Sequence, residues 1–391
     1  MHEIAEIEQA LRRAAPHRLV GVVEDALREH FGAMSVELRL ADYGLRTLQL
    51  VGQSAGADPS VPIHDSPQGR AFGAQEPHVV RGPGALHVHL PVTVRGERLG
   101  VLTAELPPGT ALGALLPLLA QLCEALGHEI LVAERDTDLY VLARRATRLT
   151  LAAEMQWQLL PGRSCARPEF ALAAHLEPAY AIFGDNYDWS VSDGRLTLTV
   201  TNGMGEGIEA ALLTNLAINA LRNARRAGLP PADQAALADQ AVYAQYRGEA
   251  FVSVLLLCFD LATGEVEVVD AGSPRVWRQR GQTVESLDFE AQLPLGMFED
   301  TVYVPERMAV RPGDRLLFGS DGVYAAVSPA GERYGDRALA RALRGTRLLP
   351  PTQVPQAVLR ELAVHHGGSP LEDDALVVCL DWNGPASTVV V

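Results

Sequence analysis

Apolar residues recur at helical spacing through the first thirty positions: Ile4, Ile7 and Leu11, then Leu19, Val22, Val23, Leu27 and Phe31. Pro16 falls between the two sets, so the pattern predicts two helices with a break there. The period then changes. SVELRL and RTLQLVG alternate as paired strands do, and LHVHLPVTV and ERLGVLTAEL flank Arg95-Gly96, a hairpin signal. From Leu112 to Leu160 the pattern is helical again, through Leu115, Leu119, Leu122, Leu126, Leu139, Leu142 and Leu149, with one interruption at Asp136-Thr137-Asp138. After Pro161 strand signals dominate: FALAAHL, RLTLTV, FVSVLLLCFD, EVEVVDAG, RLLFGSDG and ALVVCLDW. Helical stretches are expected at Ile208 to Arg226, Pro231 to Tyr246 and Arg337 to His365. The fold class expected is α+β: a small N-terminal domain over residues 1–125, a helical linker over 126–160, and over 161–385 an α/β sandwich of antiparallel sheets flanked by helices.

Composition narrows the partners. The 391 residues carry a formal charge of −15, which repels nucleic acid and anionic lipid at long range, so neither is expected. All 33 basic residues are arginine. A P-loop needs its lysine and Schiff-base chemistry needs an amine, so both are excluded. Cys123, Cys165, Cys258 and Cys379 are scattered without a CxxC pair, as in a reduced, cytoplasmic protein. No signal peptide pattern opens the chain, and no run of about 18 apolar residues is seen, so no membrane span is expected. The long helical run exposes an apolar stripe that needs cover, either its own domain or a second copy in a homodimer through the linker helix.

Four polar turns close strands of the C-terminal half: Gly184-Asp185, Asn202-Gly203, Ser320-Asp321-Gly322 and Glu372-Asp373-Asp374. Each alone is an ordinary turn. Asp193-Gly194 predicts a two-residue hairpin, and counting outward from it at equal steps brings Asp185 opposite Asn202, with Cβ atoms about 5 Å apart. Carboxylates gathered at strand ends repel one another unless a hard cation lies among them. His87 and His89 share a strand face, and His64 and His78 stand elsewhere in the same domain; a polar sheet face accounts for them better than a metal or haem, since no carboxylate or cysteine stands at ligand spacing.

The order helix, antiparallel strands, loop, hairpin, helix in the first 125 residues, with its hairpin PVTVRGERLGVLTAEL, resembles a GAF sensor domain, which implies an unknown small ligand there. From about Ala153 to Trp382 the chain resembles the PPM-type protein phosphatases of the SpoIIE/RsbU branch. The resemblance rests on AEMQWQLLP, FGDNYDW with Phe183 in place of a glycine, NGMGEGIEAALL, VVDAGSPRVW with Ser273 where histidine is usual, LPLGM, RPGDRLLFGSDGVYAA and EDDALVV, in that order. It implies Mn²⁺- or Mg²⁺-dependent hydrolysis of phosphoserine or phosphothreonine on a protein substrate, often an anti-sigma-factor antagonist. It also implies metal ligands and catalytic positions at Asp185, Asp321 and Asp373, and a metal contact from the backbone of Gly203. Asn202 stands where the family has the aspartate that bridges two metals. An amide offers one neutral oxygen, so a two-metal centre should be weakened. Glu206 and Ser273 depart from the pattern in the same direction. The alternative to a working phosphatase is a pseudophosphatase that binds a phosphoprotein without turnover.

Overall fold

The computed structural model describes residues 2–52, 58–178, 184–368 and 373–385. Its contacts divide the chain into two compact units, Met1–Arg148 and Leu149–Val391. Phe183 and Glu372, named in the motifs above, and most of the C-terminal tail lie outside the described residues.

The first unit contains α1 (His2–Arg13), α2 (Leu19–Phe31), β1 (Ser35–Ala41), β2 (Thr47–Leu50), β3 (Ser60–Pro62), α3 (Pro67–Ala74), β4 (His78–Arg81), β5 (Leu86–Val94), β6 (Glu97–Leu106), α4 (Leu112–Ala133) and α5 (Leu139–Ala143). The strands form one antiparallel sheet in the order β3-β2-β1-β6-β5-β4. Alternation sorts its faces. Leu38, Leu40, Val88, Leu90, Leu102 and Ala104 pack with α1, α2 and α4. Val101, Leu48 and Ala41 pack with Phe72 of α3. The α1–α2 break falls at Pro16, as the periodicity predicts. Helix α4 is long and apolar enough to cross a membrane by length and composition alone, contrary to the reading of its sequence. Its physical role here is that of a core helix: Leu115, Leu119, Leu122, Leu126 and Ile130 are buried in its own unit, which covers much of the stripe the sequence leaves open.

The second unit contains α6 (Leu151–Leu159), β7 (Ser164–Ala166), β8 (Phe170–Glu177), β9 (Asp185–Ser192), β10 (Arg195–Gly203), α7 (Gly207–Arg226), α8 (Pro231–Tyr246), β11 (Val252–Asp260), β12 (Glu265–Ala271), β13 (Arg275–Arg280), β14 (Thr283–Leu287), β15 (Glu306–Ala309), β16 (Asp314–Gly319), α9 (Asp321–Tyr324), α10 (Leu339–Gly345), α11 (Val354–His365) and β17 (Ala375–Trp382). Two antiparallel sheets result, β15-β12-β11-β10-β9 and β14-β13-β16-β17-β8-β7. Ala235 and Ala238 of α8 pack on β11 and β12. Leu343 of α10 and Val358 and Leu362 of α11 pack on β16 and β17. Phe259 stacks on Trp382 with ring centroids 6.3 Å apart, joining the sheets. The single helix expected from Arg337 to His365 is two, because Pro350-Pro351 cannot continue α10.

Candidate active site

The site is built at the mouth of the β9–β10 hairpin. Asp193 and Gly194 both take positive φ, 49° and 71°, the geometry of a tight two-residue turn. That turn sets the register Arg195 with Ser192 through to Asn202 with Asp185, so the count made from the sequence holds. Asp185 is 2% exposed. Gly203 ends the strand where a Cβ would overlap the Thr214 hydroxyl of α7, and its N–H donates to the Gly184 carbonyl at 3.1 Å. Thr214 Oγ1 donates to the same carbonyl at 3.0 Å. These bonds lock the two strand ends to α7.

Two other segments converge there. Asp321 opens α9 directly after β16, and Asp373-Asp374 precede β17. Asp374, fully buried, accepts the backbone N–H groups of Gly184 at 2.9 Å and Asp185 at 3.2 Å through Oδ2. Asp373 Oδ1 accepts the N–H of Asp374 at 2.8 Å. Asn202 Nδ2 donates to Asp321 Oδ1 at 2.5 Å, and Gly322 N–H reaches the same oxygen at 3.1 Å. Gln156 of α6 accepts from Asn186 Nδ2 at 2.9 Å and donates to the Asp185 carbonyl at 3.5 Å. Asp188, in the same β9 motif, is held instead by Arg222 at 2.8 Å and Arg225 at 2.7 Å, a structural anchor of α7.

The electrostatics are those of a crowded acidic pocket. Burial raises the Asp185 carboxyl well above the usual range, and Asp374, Asp321 and Asp373 push it further while Ser320 opposes. Asp321 is raised by burial and by Asp373, against the N–H of Gly322 and the amide of Asn202. Asp185 Oδ2 is buried without a hydrogen-bond partner. A buried carboxylate oxygen in that state is a strong reason to look for a cation. The donor set, oxygen only, suits Mg²⁺ or Mn²⁺. Asn202 spends its amide N–H on Asp321, and among the described residues no three acidic, histidine or cysteine side chains stand in metal-ligand geometry.

Of the positions singled out in the sequence, Asp185, Asn202, Gly203, Asp321 and Asp373 come together at this mouth. Asp374 enters the sequence reading only as part of the Glu372-Asp373-Asp374 turn, and it is the carboxylate that anchors the β9 end. Tyr324, three residues past Asp321 on α9, was missed; its hydroxyl donates to the Ser273 carbonyl at 2.8 Å. Burial raises its phenol, Asp321, Asp185 and Asp270 add to that, and Arg275 opposes. Helical spacing from Asp321 was the available signal.

Residues 192–383 match the family model described as Stage II sporulation protein E (SpoIIE). The phosphoserine phosphatase RsbP of Bacillus subtilis (strain 168) is 25% identical over 145 residues, 36% of this chain and 36% of that protein. Protein IcfG of Synechocystis sp. (strain ATCC 27184 / PCC 6803 / Kazusa) is 20% identical over 258 residues, 59% of this chain and 40% of that protein. The chain therefore spans well under half the length of these curated relatives. The solved SiaA-PP2C domain of Pseudomonas aeruginosa superposes with a TM-score of 0.50 at 22% identity, covering 59% of this chain and 94% of that one, a likeness of fold.

Proposed function

We propose that the C-terminal unit, whose residues 192–383 match the SpoIIE family model, is a PP2C-type phosphatase domain that acts on a serine- or threonine-phosphorylated protein in partner-switching signalling, with a Mn²⁺ or Mg²⁺ centre reduced by Asn202. The observation that carries this is the convergence of Asp185, Asp321 and Asp373 from three separate segments around a buried, unpaired Asp185 Oδ2. Asp321 and Asp373 would hold the ion, with Asp185 and the Gly203 backbone beside them. When bound, such an ion supplies Lewis acidity and a water of lowered pKa. The chain's own contribution is placement. Asp374 fixes the β9 end through two backbone N–H groups, and Thr214 fixes Gly184 against α7. Asn202 keeps Asp321 oriented but cannot share two charged oxygens between ions. The N-terminal unit is proposed as a GAF-like sensor that controls this site, in a homodimer, and the partner as a small phosphoprotein such as an anti-sigma-factor antagonist.

A second reading is favoured by the Asn202–Asp321 hydrogen bond: recognition of the phosphoprotein without turnover. Hydrolysis of a generic aryl phosphate with Mn²⁺, by the unaltered chain and by Asn202→Asp, separates the two. Slow turnover that rises on the order of 100-fold in Asn202→Asp supports the impaired enzyme. Rapid turnover by the unaltered chain removes the second reading. If neither chain turns over and calorimetry detects no Mn²⁺ uptake, the enzymatic reading fails and only recognition remains.

A further inference from the structure

Arg275 begins β13, opposite Gly319 at the end of β16 and so beside the segment that carries Asp321. Its guanidinium lies over the ring of Tyr324, 4.4 Å from the centroid. Tyr324 is fixed in turn by its hydroxyl bond to the Ser273 carbonyl. The other arginines of this strand are spent on carboxylates: Arg278 on Glu285 and Arg280 on Asp314, both at 2.6 Å. Arg275 makes no ion pair among the described residues, although Asp270 and Asp321 are near enough to share its field at Tyr324. Stacking uses the face of a guanidinium and leaves the N–H donors of its edge free. Ser273 Oγ, in the same turn, is shielded from water and has no hydrogen-bond partner. A pre-oriented cation with unspent planar donors, stacked on a tyrosine that also feels Asp321 and Asp185, is fitted to a tetrahedral dianion.

From these contacts the geometry points to Arg275, positioned by Tyr324, as the side chain that receives the phosphate of the phosphoprotein. This rests on the phosphoprotein reading above and names the residue that recognises the phosphoryl group. Arg275 also adds a fixed positive group beside clustered aspartates in a chain of charge −15, which favours the approach of a phosphate.

The test measures binding of a phosphoserine peptide and of its unphosphorylated form to the full chain with Mn²⁺, by calorimetry, for the unaltered protein, Arg275→Ala, Arg275→Lys and Tyr324→Leu. Arg275→Ala is expected to weaken phosphopeptide binding at least 10-fold. Arg275→Lys keeps the charge but loses the fork, so it should fall between. Tyr324→Leu, which frees the guanidinium, should cost a few-fold, and binding of the unphosphorylated peptide should not change. Should Arg275→Ala not fold, Arg275→Lys and Tyr324→Leu carry the comparison. Phosphopeptide binding that is indifferent to these changes overturns the role of Arg275 and leaves the phosphoprotein reading standing. No preference for the phosphorylated peptide in the unaltered chain overturns both.

Discussion

Each unit gathers like ionisable groups, the histidines on neighbouring strands and the aspartates from separate segments, and the two clusters meet the repulsion differently. In the N-terminal sheet His78 and His89 are direct partners across β4 and β5, their rings stacked with centroids 6.3 Å apart. His89 Nδ1 meets Thr103 Oγ1 at 2.9 Å. Burial, then His78 and His87, lowers its pKa to about 4, so the ring is neutral near pH 7 and the cluster is complete by itself. In the C-terminal unit burial and mutual repulsion oppose the charge on Asp185 and raise its carboxyl. Asp374 Oδ2 accepts backbone N–H groups and Asp321 Oδ1 accepts from Gly322 and Asn202, while Asp185 keeps an unpartnered buried oxygen. A cluster that balances its own charge reads as structure. One that does not reads as a site with a missing component.

The contrast requires the acidic pocket to be held rigidly, so that its carboxylates cannot swing away from each other. A Cβ at Gly322 would overlap the Asp374 carbonyl oxygen, backbone against backbone. Gly322→Ala is therefore expected to cost about 3 kcal/mol in urea unfolding. A stability unchanged by this substitution would show a pliable pocket and dissolve the comparison. A smaller effect of opposite sign is expected at Asp185. Without a cation its buried charge is repelled by Asp374, Asp321 and Asp373. Asp185→Asn removes that charge and adds a donor, as Asn202 already provides for Asp321, and should raise stability by about 1 kcal/mol in chelator. If Mn²⁺ binds as proposed, it should raise the melting temperature of the unaltered chain, and the same variant should lose most of that rise. A destabilised Asp185→Asn in chelator would mean that the acidic cluster, too, is self-sufficient.

How far the sequence discloses the site follows from the separation of its parts. Asp185 and Asn202 could be paired in advance because Asp193-Gly194 fixes a local register that the alternation then extends. The bond of Asp374 to Gly184 spans 190 residues and the bond of Asn202 to Asp321 spans 119, and nothing local encodes either. Resemblance brought Asp321 and Asp373 to the same pocket but gave no partner for Asp374. The stacking of Arg275 on Tyr324 depends on β13 and β16 lying side by side, a pairing the hydrophobic pattern does not specify. Helix α4 shows the other limit: periodicity marks an apolar stripe without saying what covers it, and here the N-terminal sheet and helices do. The Arg337 to His365 stretch was a missed signal of a simpler kind, since Pro350-Pro351 stood in the sequence as a break.

The smallest expected effect tests the histidine half of the comparison. His89 has its pKa lowered from 6.5 to about 4 in the folded chain, so between those values the unfolded chain binds the extra proton. Stability from this group is then fully present above pH 6.5 and is lost as the pH falls toward 4. Thermal unfolding of the full chain should show the N-terminal transition moving down by a few degrees between pH 7 and pH 5. His89→Gln keeps a polar group near Thr103 and cannot take up a proton, so its N-terminal transition should shift less over that interval. His78 and His87 lie close enough to oppose a positive charge on His89. If His89→Gln loses as much stability on acidification as the unaltered chain, the neutral ring is not what makes the cluster self-consistent, and the distinction between the two clusters would rest on the carboxylates alone.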